Sequence, residues 1–449
     1  MKEYREIVVL GAAESGTGAA VLAHKKGYQV FVSDNGTIKT TYKNVLTHFD
    51  IDFEEEGHDL QRIMAAEEVI KSPGIPDDAP VIKALREQNI PVISEIEFAA
   101  RFTSARTICI TGSNGKTTTT LLLGHILKTA GMHVGIAGNV GKSFAWQVAE
   151  NDKEVYVLEL SSFQLDNMYR FKADIAVLLN ITPDHLDRYS NKFENYINSK
   201  FRILQNQSKK ETFIFNADDP VILNELGKRK PEMMLFPFSL HPLDVENGAF
   251  IKQQELIIKK HNKKTFDMTL EQLALQGKHN VYNSMAAGVA AKLMEIRSET
   301  IKQCMSDFQN IAHRLEYVGS VHGINFINDS KATNINSTWY AMESTLKPIV
   351  WIAGGIDKGN DYKLIKSLVR EKVKAIVCLG TDNKKLHEEF GDDVEMIVDT
   401  DSAAAAVQAA YQLASKGDTV LMSPACASFD LFENYEDRGN QFKQAVRNL

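Results

Sequence analysis

Short apolar runs alternate with helix-like segments along the whole chain, and this alternation constrains the fold more than any other feature. The first run is Ile7–Leu10 and the last is Thr419–Met422. A strand followed by a helix and then by another strand is typical of an open parallel sheet. The alternation starts afresh near residues 96 and 311. We therefore expect three α/β domains, at residues 1–95, 96–310 and 311–449.

Composition excludes several classes of protein. The 449 residues carry a formal net charge of −7, which provides no overall basic surface for nucleic acid. Only a four-residue apolar run precedes Gly11, and no run approaches the ~18 residues that a membrane span needs. The cysteines (Cys109, Cys304, Cys378 and Cys426) have neither disulfide nor metal spacing, which fits a reducing compartment. We expect a cytoplasmic monomer with small-molecule partners and no nucleic-acid or membrane partner.

The segment TGSNGKTTTT, residues 111–120, has the features of a phosphate-binding loop. A strand at Thr107–Ile110 precedes it and a helix at Thr117–Ala130 follows it. Glycines permit close backbone approach, and a helix N-terminus attracts anions. Lys116 can reach the β- and γ-phosphates of a nucleotide, and the Thr117 hydroxyl can hold Mg²⁺. The common loop has a glycine six residues before the lysine, where this chain has isoleucine. The alternative interpretation is a glycine turn with a solvent-exposed lysine.

Three further side chains have the chemistry of metal ligands. Glu159 ends an apolar strand, where a carboxylate needs a partner such as Mg²⁺ or a buried cation. His185 follows the next strand, and strand ends are where open α/β sheets bind ligands. It could ligate a metal, orient a substrate or have no special role. Lys200 falls on the apolar stripe of a predicted helix within residues 191–207. Such a lysine is an active-site amine, or it pairs with an acid or extends to solvent.

A second glycine-rich turn, Gly11–Gly16, opens the first domain. Asp34 follows it at a distance typical of a dinucleotide-binding fingerprint. Ala13, however, replaces the middle glycine, which normally lets the backbone approach a pyrophosphate. This difference weakens the interpretation as an NAD site.

The loop and three other motifs resemble those of the Mur ligase family, the ATP-dependent amide ligases of peptidoglycan synthesis. The family's loop, Thr-Gly-x-Asn-Gly-Lys-Thr, also lacks the front glycine. The motifs ELSSFQL (159–165), NDSKATN (328–334) and SPACASFD (423–430) resemble the form in the D-glutamate-adding branch. The resemblance covers essentially the whole chain. It implies a Rossmann-like N-terminal domain, a central P-loop ATPase-like domain, and a C-terminal Rossmann-like domain that binds D-glutamate and closes on ATP.

The resemblance also implies residue roles. It implies ATP binding by Gly112, Ser113, Asn114, Gly115, Lys116, Thr117, Thr118, Asn280, Asn283, Arg314 and Asp329. It implies two Mg²⁺ sites formed by Thr117, Glu159, His185 and an N6-carboxylated (carbamylated) Lys200. It implies contacts with the uridine-diphosphate substrate by Glu14, Ser15, Asp34, Asn35, Gly74, Asn139, Ser161 and His185. It implies D-glutamate binding by Lys331, Thr333, Lys358, Ser428, Phe429 and Tyr435, the last at a position where the branch often has phenylalanine. The residues expected to act in catalysis are Lys116, Glu159, His185, Lys200, Lys331 and Lys358.

Simpler interpretations exist for individual residues. Asn280 and Asn283 could cap a helix that starts nearby. Arg314 and Lys358 could be solvated surface charges, and the segment at 423–430 could be a tight turn around a buried cysteine. The joint spacing of the motifs favours the ligase.

The expected activity is ATP-dependent ligation through an acyl phosphate, with release of ADP and phosphate. Three other functions are considered. A folylpolyglutamate synthase would share the fold, an NAD-dependent oxidoreductase would use the first glycine-rich turn, and a nucleotide-binding switch would bind ATP without turnover.

Overall fold

The computed structural model describes residues 6–275, 277–308, 312–345 and 348–449. They form two compact units. The first comprises the residues up to Ala274 together with Asn280–Phe308, and the second comprises Leu275–His279 together with the residues after Phe308. Three sheets lie within them, each accompanied by helices. The predicted three-domain α/β architecture is confirmed. Among the described residues, no helix is long and apolar enough to cross a membrane.

The first sheet is fully parallel and has the strand order β3-β2-β1-β4-β5. The run IVVL forms the central strand because both faces of a covered parallel sheet are buried. The strands are β1 (Glu6–Leu10), β2 (Gln29–Ser33), β3 (Asp52–Glu54), β4 (Glu68–Lys71) and β5 (Val92–Ser94). The helices are α1 (Glu14–Lys25), α2 (Thr40–His48), α3 (Leu60–Met64), α4 (Pro80–Glu87) and α5 (Glu95–Ala99).

The central sheet has nine strands in the order β14-β13-β12-β11-β10-β9-β6-β8-β7. It is parallel from β7 to β12, and an antiparallel meander extends it to β14. The strands are β6 (Arg106–Thr111), β7 (Val134–Gly138), β8 (Val155–Glu159), β9 (Ile175–Leu178), β10 (Thr212–Asn216), β11 (Met234–Ser239), β12 (Gly248–Lys252), β13 (Glu255–Lys260) and β14 (Lys263–Thr269). The helices are α6 (Lys116–Thr129), α7 (Phe144–Glu150), α8 (Ser162–Leu165), α9 (Phe193–Phe201), α10 (Pro220–Arg229), α11 (Lys278–Leu293) and α12 (Ser298–Asp307).

The third sheet lies in the second unit and has the order β15-β16-β20-β17-β18-β19, with only the edge pair β15–β16 antiparallel. The strands are β15 (Glu316–Val321), β16 (Ile324–Asn328), β17 (Ile349–Gly354), β18 (Val373–Leu379), β19 (Met396–Thr400) and β20 (Thr419–Ala425). The helices are α13 (Ile335–Ser344), α14 (Lys366–Lys372), α15 (Lys384–Phe390), α16 (Ala403–Leu413) and α17 (Tyr435–Arg447).

The predicted strands are all present, whereas some helices differ from expectation. Helix α1 begins at Glu14, so Gly16 lies inside it and not in a turn. Packing explains why a glycine stands at this position of the helix, because a Cβ atom at Gly16 would lie 1.7 Å from the carbonyl oxygen of Gly11. The segment 361–371, for which the sequence also predicts one helix, forms a 3₁₀ turn followed by α14.

The predicted domain boundaries stay predictions. The boundary at 95/96 falls within α5, and the boundary at 310/311 lies outside the described residues. One buried apolar cluster runs from the first sheet through Phe98 on α5 to Phe144 on α7 and Tyr156 on β8. The first unit therefore has a continuous core beneath both of its sheets.

Candidate active site

The phosphate-type loop lies at the carboxyl edge of the central sheet. Strand β6 ends at Thr111 and helix α6 begins at Lys116. Strands β8 and β9 flank β6, with Ile110 paired to Glu159 and Thr111 paired to Leu178. The polar residues that follow these three neighbouring strands are therefore brought together at one edge, where open α/β sheets bind ligands.

Two glycines make this loop geometrically possible. Gly115 has φ +85°, and a Cβ atom there would lie 2.2 Å from Asn283 Oδ1. Asn283 lies inside α11 and donates to Asn280 Oδ1 at 3.3 Å, so neither asparagine is a cap of the kind considered above. Gly112 has φ +149°, and a Cβ atom there would lie 3.2 Å from the backbone nitrogen and oxygen of Asn180. The predicted nucleotide residues Gly115 and Asn283 thus lie close together.

Side chains from the next strand end brace the loop. Asn180 accepts from the Asn114 amide at 2.8 Å and donates to its carbonyl at 3.0 Å. Ser113 Oγ donates to the Thr182 carbonyl at 2.8 Å. Asn180 received no role from the sequence, although its position directly after a strand was a usable signal.

The polar groups on α6 suit a phosphate and its cation. Lys116 Nζ donates to the carbonyl oxygens of Gly112 and Ser113, at 2.8 and 2.9 Å. Thr117 and Thr118 are buried, and Thr118 Oγ1 has no hydrogen-bond partner among the described residues. The lysine is therefore half-buried and held over the loop, unlike the solvent-exposed lysine of the alternative interpretation.

Glu159 is a buried carboxylate with unused bonding capacity. It is 1% exposed at the end of β8. Its Oε1 accepts from Asn139 Nδ2 at 2.9 Å, while Oε2 is buried without a hydrogen-bond partner among the described residues. The hydrogen-bond partner of Glu159 is thus the neutral amide of Asn139 and not the cation of a buried ion pair. Such an oxygen is a good ligand for a hard divalent cation, so the residues present fit Mg²⁺.

Lys200 lies on the inward face of α9 and is 2% exposed. Its Nζ donates to Thr111 Oγ1 at 3.2 Å and lies 5.2 Å from the centre of the Tyr196 ring. Burial lowers the pKa of Lys200 well below its usual value, and the nearby charge of Lys116 lowers it further. The attraction of Glu159 opposes this shift without reversing it. Burial beside the phosphate-type loop therefore favours the uncharged form of the Lys200 amine.

His185 and Ser161 occupy the loops beside this edge. His185 has φ +50° and precedes the 3₁₀ turn Leu186–Tyr189. Its ring lies edge-on to Phe163, with 5.2 Å between ring centres. Ser161 caps α8 in a reciprocal pair with Gln164. Both residues are in the first unit.

The first domain contains a cleft of about 1050 Å³ at the carboxyl ends of β1, β2 and β4. Predicted uridine-nucleotide residues that line it are Ser15, Asp34, Asn35 and Gly74. Asp34 also accepts from the Ala12 amide at 2.7 Å and so braces the turn before α1.

Two other residues predicted for the uridine nucleotide lie elsewhere. Glu14 accepts from the Ser143 amide at 3.3 Å, and Asn139 hydrogen-bonds Glu159. Ala13, the departure from the dinucleotide fingerprint, lines the cleft at the N-cap of α1.

The residues predicted to bind D-glutamate all lie in the second unit. They follow three adjacent strands, β16, β20 and β17. Lys331 Nζ lies 5.3 Å from the centre of the Tyr435 ring, a contact that a phenylalanine would also permit. Lys358 is exposed, Ser428 is buried and Phe429 is 68% exposed. Thr333 follows β16 and is half-buried. The strand order brings these segments to one edge, as it does for the loop in the first unit.

Asp329 and Arg314, predicted to contact ATP, also belong to the second unit. Asp329 is buried and accepts from Ser423 Oγ at 2.8 Å and from the Leu315 amide at 3.2 Å. Burial raises its pKa to about 7. Arg314 is half-buried.

Three protein-family models match the chain. They are "MurD N-terminal domain" at residues 7–81, "Mur ligase middle domain" at 110–291 and "Mur ligase, glutamate ligase domain" at 313–426. Relatives named UDP-N-acetylmuramoylalanine--D-glutamate ligase cover nearly the whole chain. That of Bacteroides fragilis is 57% identical over 448 residues, 99% of this chain and 100% of the relative. That of Christiangramia forsetii is 54% identical, with 99% and 100% covered.

Solved structures agree in fold at low identity. The UDP-N-acetylmuramate-alanine ligase of Thermotoga maritima superposes with a TM-score of 0.63 at 16% identity, covering 99% of this chain and 100% of that one. The MurF ligase of T. maritima, in complex with ADP, gives 0.61 at 12% identity with 100% of both chains covered. The whole-length relatives, the three domain matches and the loop geometry lead to one conclusion: the chain belongs to the Mur ligase family.

Proposed function

We propose that this chain is an ATP-dependent, ADP-forming ligase that joins D-glutamate to UDP-N-acetylmuramoyl-L-alanine in peptidoglycan precursor synthesis. The observation that carries the proposal is the unpartnered Oε2 of Glu159, at the strand end next to the loop that ends in Lys116 and Thr117. The names of relatives at 50–57% identity support the choice of substrates.

The reaction follows from the chemistry of the substrates. A carboxylate is a poor acylating agent, so the alanyl carboxylate oxygen attacks the γ-phosphorus of ATP and ADP leaves. The amine nitrogen of D-glutamate then attacks the acyl carbon of the acyl phosphate, phosphate leaves and the nitrogen loses a proton. Phosphoryl transfer depends on positioning and charge stabilisation, which Lys116 and the backbone of residues 112–115 provide.

Glu159 and Thr117 are the residues that would hold Mg²⁺ at this site. When bound, Mg²⁺ neutralises phosphate charge and polarises the transferring phosphoryl group. Asn139 fixes the Glu159 carboxylate through Oε1. That bond leaves Oε2 for the cation.

Lys200 is proposed to carry an N6-carboxyl group and, with His185, to serve a second cation. Carbon dioxide reacts with an uncharged amine and not with an ammonium, and the lowering of the Lys200 pKa by burial favours the uncharged form. The product is an anion, which the positive charge of Lys116 attracts. His185 is also the candidate base for the D-glutamate amine.

The remaining predicted roles stand as part of this proposal. Ser15, Asp34, Asn35 and Gly74 would hold the uridine diphosphate in the first-domain cleft, and the residues after β16, β17 and β20 would hold D-glutamate. The use of ATP and a nucleotide-linked precursor supports a cytoplasmic location. The four cysteines are free thiols, which is consistent with a reducing compartment. We propose a monomer.

One assay tests the function directly. Phosphate release from ATP is measured with UDP-N-acetylmuramoyl-L-alanine present, and amino acids are added singly. We expect stimulation by D-glutamate and not by L-glutamate or D-alanine. Absence of stimulation by D-glutamate would contradict the proposal. Parallel samples with a folate acceptor and L-glutamate, and a titration with NADH, test the folylpolyglutamate synthase and oxidoreductase alternatives.

A further inference from the structure

Arg438 is a fully buried cation whose hydrogen bonds converge on the predicted D-glutamate motifs. It is 1% exposed on α17. Its Nε donates to Ser330 Oγ at 3.0 Å and its Nη2 donates to the Ser330 carbonyl at 3.0 Å. Nη2 also donates to the Cys426 carbonyl at 3.2 Å, and Nη1 to the Gly354 carbonyl at 3.5 Å. One guanidinium therefore joins three separate segments.

Each of these partners adjoins a residue with a predicted role. Ser330 stands between Asp329 and Lys331, Gly354 begins the segment that leads to Lys358, and Cys426 precedes Ser428 by two residues. The three partners follow or end β16, β17 and β20, which are neighbours in the sheet. Arg438 thus holds the three segments together from one side.

The same segments contain backbone that needs an external restraint. Gly354 and Gly355 have φ of +126° and +122°, and Ala425, which has a side chain, has φ +62°. Non-glycine residues in this region of φ are uncommon and persist only where the surroundings hold them. Ser330 Oγ adds a second link to α17, since it donates to the Tyr435 carbonyl at 2.8 Å.

The hydrogen-bond partners of this guanidinium are all neutral. Burial lowers the pKa of Arg438 to about 10, and electrostatic interactions with Cys426 and Asp430 oppose this shift. The group remains protonated at neutral pH. A buried cation bonded to hydroxyl and carbonyl oxygens places a positive charge behind the strand ends. An amino-acid substrate with two carboxylates would offset that charge.

We propose that Arg438 is a positioning residue for the dicarboxylic amino-acid substrate, because it fixes the three strand-end segments and supplies positive charge beneath them. This inference rests on the proposed function. Nothing in the sequence around Arg438 indicated the role, and no substrate contact by Arg438 is required.

The test compares Arg438→Lys, Arg438→Met and Arg447→Met. Arg447 is exposed at the end of the same helix, so its substitution is the matched control. Phosphate release is measured as a function of D-glutamate, ATP and uridine substrate in turn, and folding is checked by circular dichroism. Loss of positioning is expected to raise KM for D-glutamate about tenfold to a hundredfold in Arg438→Met. The lysine variant keeps the charge and should be affected less, and KM for ATP should change less than about twofold in both.

Two results would overturn the inference. One is an unchanged KM for D-glutamate in a folded Arg438 variant. The other is an equal rise in all three KM values, which would indicate a general structural role. If Arg438→Met does not fold, the lysine variant decides by the same criteria. The wild-type chain in the same assay separates the two proposals, since lack of stimulation by D-glutamate there would refute the function and not the role of Arg438.

Discussion

Replacement of Glu159 by glutamine should separate activity from stability. The variant keeps an oxygen to accept from Asn139 Nδ2 and removes the charge from the unpartnered, buried Oε2. An unpaired buried polar group costs ~1–3 kcal/mol, and more when it is charged. Glutamine leaves a neutral nitrogen in that position. The stability of the protein without ligands should therefore stay equal or rise by ~1–2 kcal/mol.

The same substitution should strongly reduce turnover. It removes the negatively charged oxygen proposed for Mg²⁺, and loss of one preorganised electrostatic contact typically costs ~10²–10³ in kcat. Stabilisation of the protein by Mg²⁺ and ATP in a thermal melt should also disappear, because that stabilisation depends on ligand affinity. Phosphate release and differential scanning fluorimetry measure the two effects on one sample.

Glu97 provides the matched control. It is buried like Glu159, but its oxygens accept from the backbone amides of Tyr169, Arg170 and Phe171 at 2.9–3.2 Å. Glutamine would turn an amide nitrogen toward these donors and lose bonds to a charged acceptor, at ~1.5–3 kcal/mol each.

The two variants should therefore show opposite effects on thermal stability and on Mg²⁺ dependence. Glu97→Gln should lower the melting temperature by roughly 3–12 °C for each bond lost, at ~2–4 °C per kcal/mol, with its Mg²⁺ dependence retained. The proposed role of Glu159 as a cation ligand is contradicted if Glu159→Gln keeps activity within about threefold, or if it lowers the melting temperature as much as Glu97→Gln does.

Three further predictions concern neighbouring groups. Lys200→Ala should lose most activity and regain part of it in a high concentration of formate or acetate; full activity without a carboxylate would exclude a role as metal ligand. Glu95 is buried with its pKa raised to about 7, so the folded protein binds the proton more tightly, and stability should fall by roughly 3 kcal/mol as pH rises from about 4.5 to 7. Glu95→Gln, which can still accept from Ser143 and Ala145, should flatten this dependence in pH-resolved melts, and an unchanged slope would contradict it. Gly115→Ala should lower ATP affinity at least tenfold in a binding titration, because of the positive φ and the contact with Asn283; unaltered affinity would show that the loop adapts.

Local sequence patterns predicted the strands, the positions of their ends and the burial of individual side chains. Buried parallel strands have continuous apolar runs, so each strand end, and hence the placement of Glu159 and the loop at one sheet edge, followed from the sequence. The burial of Lys200 followed from its position on an apolar stripe. These features depend on neighbours within a few residues along the chain.

Contacts between distant segments were not predictable in this way. Asn180 braces Asn114 from 66 positions away, and Arg438 reaches Ser330 across 108. Helix α17 also has a glycine near its centre, which argues against a helix when considered alone. The structure gives the reason for Gly439, since a Cβ atom there would lie 2.0 Å from His313 Nδ1.

Buried charge alone does not distinguish a reaction site from a structural one, because this chain buries charged groups for both purposes. Glu97 has both carboxylate oxygens bonded, and Arg438 has its guanidinium bonded to four acceptors. Glu159 keeps one oxygen without a hydrogen-bond partner among the described residues, and burial lowers the pKa of the Lys200 amine. A fully bonded buried charge stabilises one conformation, whereas an unsatisfied group costs free energy that a ligand can recover. Sequence patterns locate burial but not bonding, so this difference becomes visible only when partners from distant segments are placed.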